Sequence, residues 1–204
     1  MAAVLLVLGA GAGDASANSI VPSLVSVTYD PGTGLYTYTY TAVLSSVGQL
    51  DGGTTTDPYE FFTIYDFQGF VPGSQTQSGG PAGSSWTSSS SGTGPNGIGT
   101  TAITGDNSSI PNITWTYTGS FLNGSPSGVS LGTFTAQSTS GAYDWGSYTA
   151  QYENNGTSGP AGVVAGNTGY VYVPQAAEPG SMLLLGTGLF GLAALARRRV
   201  ARRP

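Results

Sequence analysis

Leu35-Tyr36-Thr37-Tyr38-Thr39-Tyr40-Thr41-Ala42-Val43-Leu44 decides the fold. Aromatic and β-branched residues alternate with a period of two, so on a strand Tyr36, Tyr38 and Tyr40 share one face and Thr37, Thr39 and Thr41 the other. A helix, with its period of 3.6, would scatter the same residues around its circumference. The tyrosine face reads first as a core or half-core face. The competing reading is an exposed platform for glycan or matrix, because each phenol combines a large apolar body with a polar tip.

The same period recurs on both sides of this stretch. Leu24 to Tyr29, Phe61 to Tyr65, Thr114 to Thr118, Val129 to Ala136, Tyr148 to Tyr152 and Gly169 to Val173 are runs of β-branched and aromatic residues. Turn formers separate them: Asp30-Pro31-Gly32, Asp51-Gly52-Gly53, Asn123-Gly124 and Asn154-Asn155-Gly156. Helical periodicity is absent from Asn18 to Gln175. Seven or eight short strands at this spacing predict an all-β fold, a single antiparallel β-sandwich, with the immunoglobulin-like arrangement as one form of it. No repeat of 20 to 50 residues is present, which weighs against a solenoid or propeller. The 158 residues from Asn18 to Gln175 suffice for one core, since a domain of that size buries roughly 70% of its unfolded surface. A Ser/Gly-rich excursion, residues 73–109, interrupts the pattern. Within it Ser85-Trp86-Thr87-Ser88-Ser89 predicts a short edge strand with flexible flanks.

Charge is distributed with unusual asymmetry. The region Asn18 to Gln175 contains Asp30, Asp51, Asp57, Glu60, Asp66, Asp106, Asp144 and Glu153 and no Lys, Arg or His, a formal charge of −8. A uniformly negative field opposes nucleic acid, anionic lipid and acidic polysaccharide unless divalent cations intervene, so nucleic-acid binding is excluded as a function class. The chain has no Cys, hence no disulfide, and no Lys for an isopeptide cross-link.

These absences also narrow the chemistry. Without His, Cys or Lys the region cannot assemble a Ser-His-Asp or Cys-His pair, a Ser-Lys dyad, a Schiff base, or a zinc site with nitrogen or sulfur ligands. Carboxylate chemistry remains. A glycosidase would need two acids about 5 to 9 Å apart in a cleft. Asp51, Asp57 and Glu60 form the densest acidic cluster, three oxygen donors for Ca²⁺ at most, without the spacing of an EF-hand or an Asp-rich repeat. Solvated loop acids are the plainer reading. The expectation is a protein that is not an enzyme, with no catalytic residue and no cofactor.

Aromatic side chains are weighed in the same way. Trp115, inside Ile113-Thr114-Trp115-Thr116-Tyr117, is expected in the core. Trp86, in the Ser-rich excursion, is the candidate for an exposed glycan contact, and Trp145 beside Gly146 could face either way. Threonines on a flat sheet raise ice binding, but three alternating threonines are too few for an extended array. Four Asn-x-Ser/Thr sequons, at Asn107, Asn112, Asn123 and Asn155, follow from a composition rich in those residues and are assigned no role.

Both termini carry targeting patterns. An apolar run from Ala2 to Ala12 and the small-x-small triplet Ala15-Ser16-Ala17 predict a signal peptide over residues 1–17, with a basic n-region missing. At the other end, Gly180 to Ala196 is a 17-residue uncharged stretch, about 26 Å as a helix at 1.5 Å per residue, and is followed by Arg197, Arg198, Arg199, Arg202 and Arg203. Those are the only basic residues of the chain, and basic residues beside a span stay in the cytoplasm. The expected organisation is signal peptide 1–17, acidic β domain 18–173, polar motif 174–180, transmembrane helix 181–196 and basic cytoplasmic tail 197–204. The β domain would lie outside, with the inner membrane as a transient or permanent anchor.

Glu178-Pro179-Gly180-Ser181, followed by MLLLGTGLFGLAALARRR over residues 182–199, resembles the PEP-CTERM sorting signal of Gram-negative bacteria. The resemblance covers about residues 174–199. Ala177 occupies the place of the family's first proline, while Glu178, Pro179 and Gly180 keep the rest of the motif and Arg197, Arg198 and Arg199 supply the stop. It implies recognition by an exosortase, a membrane-embedded cysteine transpeptidase, and an association with exopolysaccharide. The same tail occurs on some ice-binding proteins. The combined expectation is an exported surface or matrix protein with a structural or adhesive role in exopolysaccharide or biofilm. The alternatives are a carbohydrate-binding module, a carboxylate glycosidase and an ice-binding protein.

Overall fold

A computed structural model of the chain describes residues 19–52, 60–95, 103 and 105–176. The expected signal peptide, Asp57, the motif residues Glu178, Pro179 and Gly180, the expected span 181–196 and Arg197, Arg198 and Arg199 lie outside the described residues. Among the described residues no helix is long and apolar enough to cross a membrane.

Eleven strands account for the described chain: β1 (Ile20–Asp30), β2 (Leu35–Leu44), β3 (Gly48–Leu50), β4 (Phe61–Ile64), β5 (Thr76–Ser78), β6 (Trp86–Ser91), β7 (Asn112–Tyr117), β8 (Leu122–Asn123), β9 (Val129–Ser138), β10 (Tyr143–Asn154) and β11 (Val164–Pro174). All their pairings are antiparallel. The fold is therefore all-β, as the period of two predicted.

The first sheet runs β1-β2-β9-β5. Its opening hairpin is set by Asp30-Pro31-Gly32-Thr33-Gly34. The Asp30 carboxylate accepts from the Gly32 amide and the Thr33 hydroxyl, both at 2.9 Å, and these bonds hold its pKa below the ordinary value. In β9 the register slips between its pairs with Thr41 and Val43. Gly132 is the extra residue, at φ 104°, where a Cβ would lie 2.5 Å from the Ser78 carbonyl oxygen. This bulge turns both Leu131 and Phe134 into the core, which strict alternation would forbid.

The second sheet runs β6-β7-β4-β10, with β3 and β8 continuing from β10 and β11 along the other edge of β10. β4 meets β10 at Tyr148 to Gln151 and β3 meets it at Glu153 and Asn154, so the two short strands share one edge of the long one in tandem. The predicted edge strand in the Ser-rich excursion is β6, paired with β7 from Trp86↔Tyr117 to Ser91↔Asn112.

The sheets pack through a single apolar cluster. Tyr38, Tyr40, Ala42 and Leu44 of β2 with Leu131, Phe134 and Ala136 of β9 face Phe62, Ile64, Ile113, Trp115, Tyr148, Ala150, Val171 and Val173. Phe134 pins the two together: its ring lies 4.8 Å from Phe62, 5.2 Å from Trp86 and 5.7 Å from Trp115, each edge to face. The core reading of the tyrosine face holds at Tyr38 and Tyr40, both fully buried. Their hydroxyls still find acceptors: Tyr38 in the Ser140 and Ala142 carbonyls, and Tyr40, across the sheets, in the Tyr172 carbonyl at 3.0 Å.

Trp86 corrects an expectation. The ring is not a free surface contact: it packs on Phe62, Tyr117 and Phe134 at 5.8, 5.1 and 5.2 Å, and its indole nitrogen is buried. The polar residues Thr87 to Ser91 are exposed on both faces of this edge strand and hid the one ring that packs against the core.

Candidate functional site

Two groups of side chains stand apart from the core. The first is an aromatic row on the outer face of the β10–β11 hairpin. Tyr148, Ala150 and Tyr152 of β10 point inward, so Trp145 and Ser147 point out, while Tyr143, at the start of the strand, is half-buried against the core. Across the hairpin Trp145 is opposite Tyr172 and Ser147 opposite Tyr170. On the inner face Gly146 leaves room for Val173, whose side chain a Cβ would meet at 2.4 Å. That fit keeps Val171 and Val173 buried and commits Tyr170 and Tyr172 to the outside.

In this row the Trp145 and Tyr172 rings stack at 4.0 Å with 25° between their planes, and Tyr143 meets Tyr172 edge to face at 5.6 Å. Trp145 is 58% exposed and Tyr170 74%. Trp145 could have faced either way from sequence, and the structure turns it outward. Rings held in a row by backbone pairing offer apolar faces at little further entropic cost, with phenol hydroxyls at the margin. Such a surface can stack on the C–H faces of sugar rings.

The second group is acidic. Leu50 ends β3 and Phe61 begins β4, and because both strands pair with β10 side by side, Asp51 and Glu60 converge on Glu153. One carboxylate oxygen from each lies within 4.8 Å of the others. Asp51 is exposed, while Glu60 and Glu153 are 1% and 5% exposed. The Glu60 Oε1 accepts from the Asp51 amide at 2.8 Å, and Gln49 Nε2 donates to Glu153 Oε2 at 2.9 Å. Of the sequence's acidic triad, Asp51 and Glu60 come together, Asp57 lies outside the described residues, and Glu153 is an addition that spacing could not reveal.

Burial pushes the Glu60 carboxyl up to about 7, the adjacent Asp51 carboxylate adds to the rise, and the bond from the Asp51 amide opposes it. Among the described residues the Tyr117 phenol also senses Glu60, whose charge adds to the rise that burial causes in it. A folded-state value above the ordinary 4.5 means that the folded chain keeps a proton which the unfolded chain releases. Stability in metal-free buffer is therefore expected to be greatest below about pH 4.5 and to fall by about 2 kcal/mol as pH rises to about 7, then to level off. Urea titrations across this range check it. Glu60→Gln is expected to remove most of that slope, and an unchanged slope would contradict the assignment.

The outer face of the first sheet is a third, uncharged surface. Thr39 is flanked by Ser26 and Thr135, with Thr76 beyond, and Thr41 by Ser23 and Thr133, with Ser78 beyond. The hydroxyl array is thus wider than the three threonines of β2, although sheet twist keeps it from being flat. Of the sequons, Asn112 is buried and donates to Asp106, which removes it as an acceptor of sugar.

The described chain is an all-β domain of two antiparallel sheets with an aromatic row on one outer face and a carboxylate cluster at the tandem junction of β3 and β4. Compared with protein-family models the chain matches none, and no curated protein matches it.

Proposed function

We propose that this is an exported, non-catalytic surface protein whose β-sandwich, immunoglobulin-like in its layering, holds extracellular polysaccharide through Trp145, Tyr170 and Tyr172, with Tyr143 supporting Tyr172 edge to face. The observation that carries the reading is the outward stack of Trp145 on Tyr172 beside the exposed ring of Tyr170. Trp145 and Tyr170, exposed together beside the half-buried ring of Tyr172 rather than singly, are a recognition surface in want of a partner. The charge of −8 on the domain directs that partner toward neutral glycan, since an acidic polymer would be repelled. Turnover is no part of the proposal: Glu60 and Glu153 are too deeply buried for a glycosidic bond to reach both of them.

The rest of the chain fits delivery to such a partner. The signal peptide 1–17 would export the domain, the helix 181–196 and the arginines after it would hold it at the inner membrane, and an exosortase would act near Glu178-Pro179-Gly180. Retardation of the full-length protein in native gels cast with a panel of neutral polysaccharides tests the binding half. At least one polymer is expected to slow it in a concentration-dependent, salt-insensitive way, and unaltered mobility throughout would refute it. Intact mass tests the sorting half. A product ending near Glu178 or Pro179 is expected only in cells with an active exosortase, and a chain still ending at Pro204 in both backgrounds would contradict processing.

A further inference from the structure

We propose that Asp51, Glu60 and Glu153 form a calcium site that ties the junction of β3 and β4 to β10. Three features carry it. The first is reach: donor oxygens within 4.8 Å of one another can all touch one ion at 2.3 to 2.6 Å, because two ligands on opposite sides of such an ion are separated by about twice that distance. The second is an orphaned acceptor. Glu60 is 1% exposed, its carboxyl group is turned to Asp51 and Glu153, and its Oε2 is buried without a hydrogen-bond partner among the described residues. A buried carboxylate oxygen in that condition is costly unless something positive faces it.

The third feature is that no side chain of the domain can supply that positive charge. From Asn18 to Gln175 the chain has no Lys, Arg or His, so no ion pair internal to the domain can compensate the cluster. Oxygen donors alone, without imidazole or thiolate, suit a hard cation and not zinc or copper. Calcium is favoured over magnesium because its shell tolerates the irregular geometry of carboxylates fixed by strand pairing, whereas magnesium demands a near-ideal octahedron. The ion would fasten the ends of the 51–60 connection to the long strand that carries the aromatic row. This inference is independent of polysaccharide binding.

Titrating CaCl₂ into chelator-treated full-length protein, by calorimetry and by thermal melting, tests the site. One saturable event is expected in the range of extracellular calcium modules, about 10⁻⁴ to 10⁻³ M, with a melting temperature raised by about 5 °C once the ion is well above that concentration. Magnesium should bind at least tenfold more weakly. Glu60→Gln and Glu153→Gln should each weaken calcium binding at least tenfold while staying folded by circular dichroism, since both keep their volume. Asp144→Asn, an exposed acid elsewhere on the domain, should leave the titration unchanged. No saturable heat and no thermal shift up to 10 mM calcium, binding indifferent to both glutamine variants, or equal affinity for magnesium would overturn the assignment.

Discussion

Phe134→Ala is expected to destabilise the domain by about 3 to 5 kcal/mol, more than any exposed substitution, and to lower its melting temperature by about 8 to 15 °C. The ring is fully buried on β9 and meets Phe62, Trp86 and Trp115, all on the opposite sheet. Removing it leaves a cavity where the layers interlock, and neither sheet can close the gap without shifting strands that backbone hydrogen bonds hold in place. The loss should appear in the denaturation midpoint with little change of slope. Phe134→Leu retains most of the volume and should lose about 1 kcal/mol, chiefly the edge-to-face contacts. Phe121→Ala, at a ring 62% exposed, should stay within about 0.5 kcal/mol of the parent. Equal effects at Phe134 and Phe121 would mean that the sheets do not pack as described.

Trp145→Ala is expected to weaken polysaccharide binding at least tenfold and to leave the fold intact. Truncating a central aromatic anchor removes about 2 kcal/mol or more of binding energy, and 1.4 kcal/mol is already a factor of ten. The indole stacks on Tyr172 and is otherwise open to solvent, so its loss should lower stability by no more than about 1 kcal/mol. Tyr170→Ala should have a smaller effect on affinity, and the double variant should fall short of the sum because the rings share one ligand. Trp86→Ala provides the contrast. Packed on Phe62, Tyr117 and Phe134, it should lower stability by several kcal/mol while the folded fraction keeps its affinity. The opposite pattern, affinity lost at Trp86 and retained at Trp145, would move the site to the other end of the sheet.

Much of the layering was legible in the sequence because strand faces repeat every two residues. The inward turn of Tyr38 and Tyr40, the core position of Trp115 and the edge strand from residue 86 all follow from local alternation. Alternation names two faces without saying which one is covered, and that is where the reading of Trp86 failed and that of Trp145 stayed open. Around Trp86 the serines suggested exposure, which holds for the rest of this edge strand but not for its first residue, whose ring packs against the core. For Trp145 the answer lay in its partner strand, where buried Val171 and Val173 alternate with Tyr170 and Tyr172 and force the tyrosines outward.

The acidic cluster was half legible. Asp51 and Glu60 sit close in sequence and bracket one connection, so their meeting needed only that the connection return to the same strand. Glu153 is some ninety residues away and reaches them because β3 and β4 lie in tandem along β10, a long-range pairing that no local pattern encodes. The bulge at Gly132 is equally hidden: one extra residue reverses the alternation and brings both Leu131 and Phe134 inward.

Quenching of tryptophan fluorescence by acrylamide, with and without a polysaccharide that retards the protein in gels, tests the proposed binding face most directly. Trp115 is fully buried and Trp86, half-buried, packs against the core with its indole nitrogen covered, so the most quenchable emission belongs to Trp145, 58% exposed. Saturating polysaccharide is predicted to shield that emission to the level of the two inner tryptophans, with a midpoint equal to that of gel retardation. Quenching that stays unchanged while the protein remains bound would contradict the assignment of the aromatic row as the surface that holds the glycan.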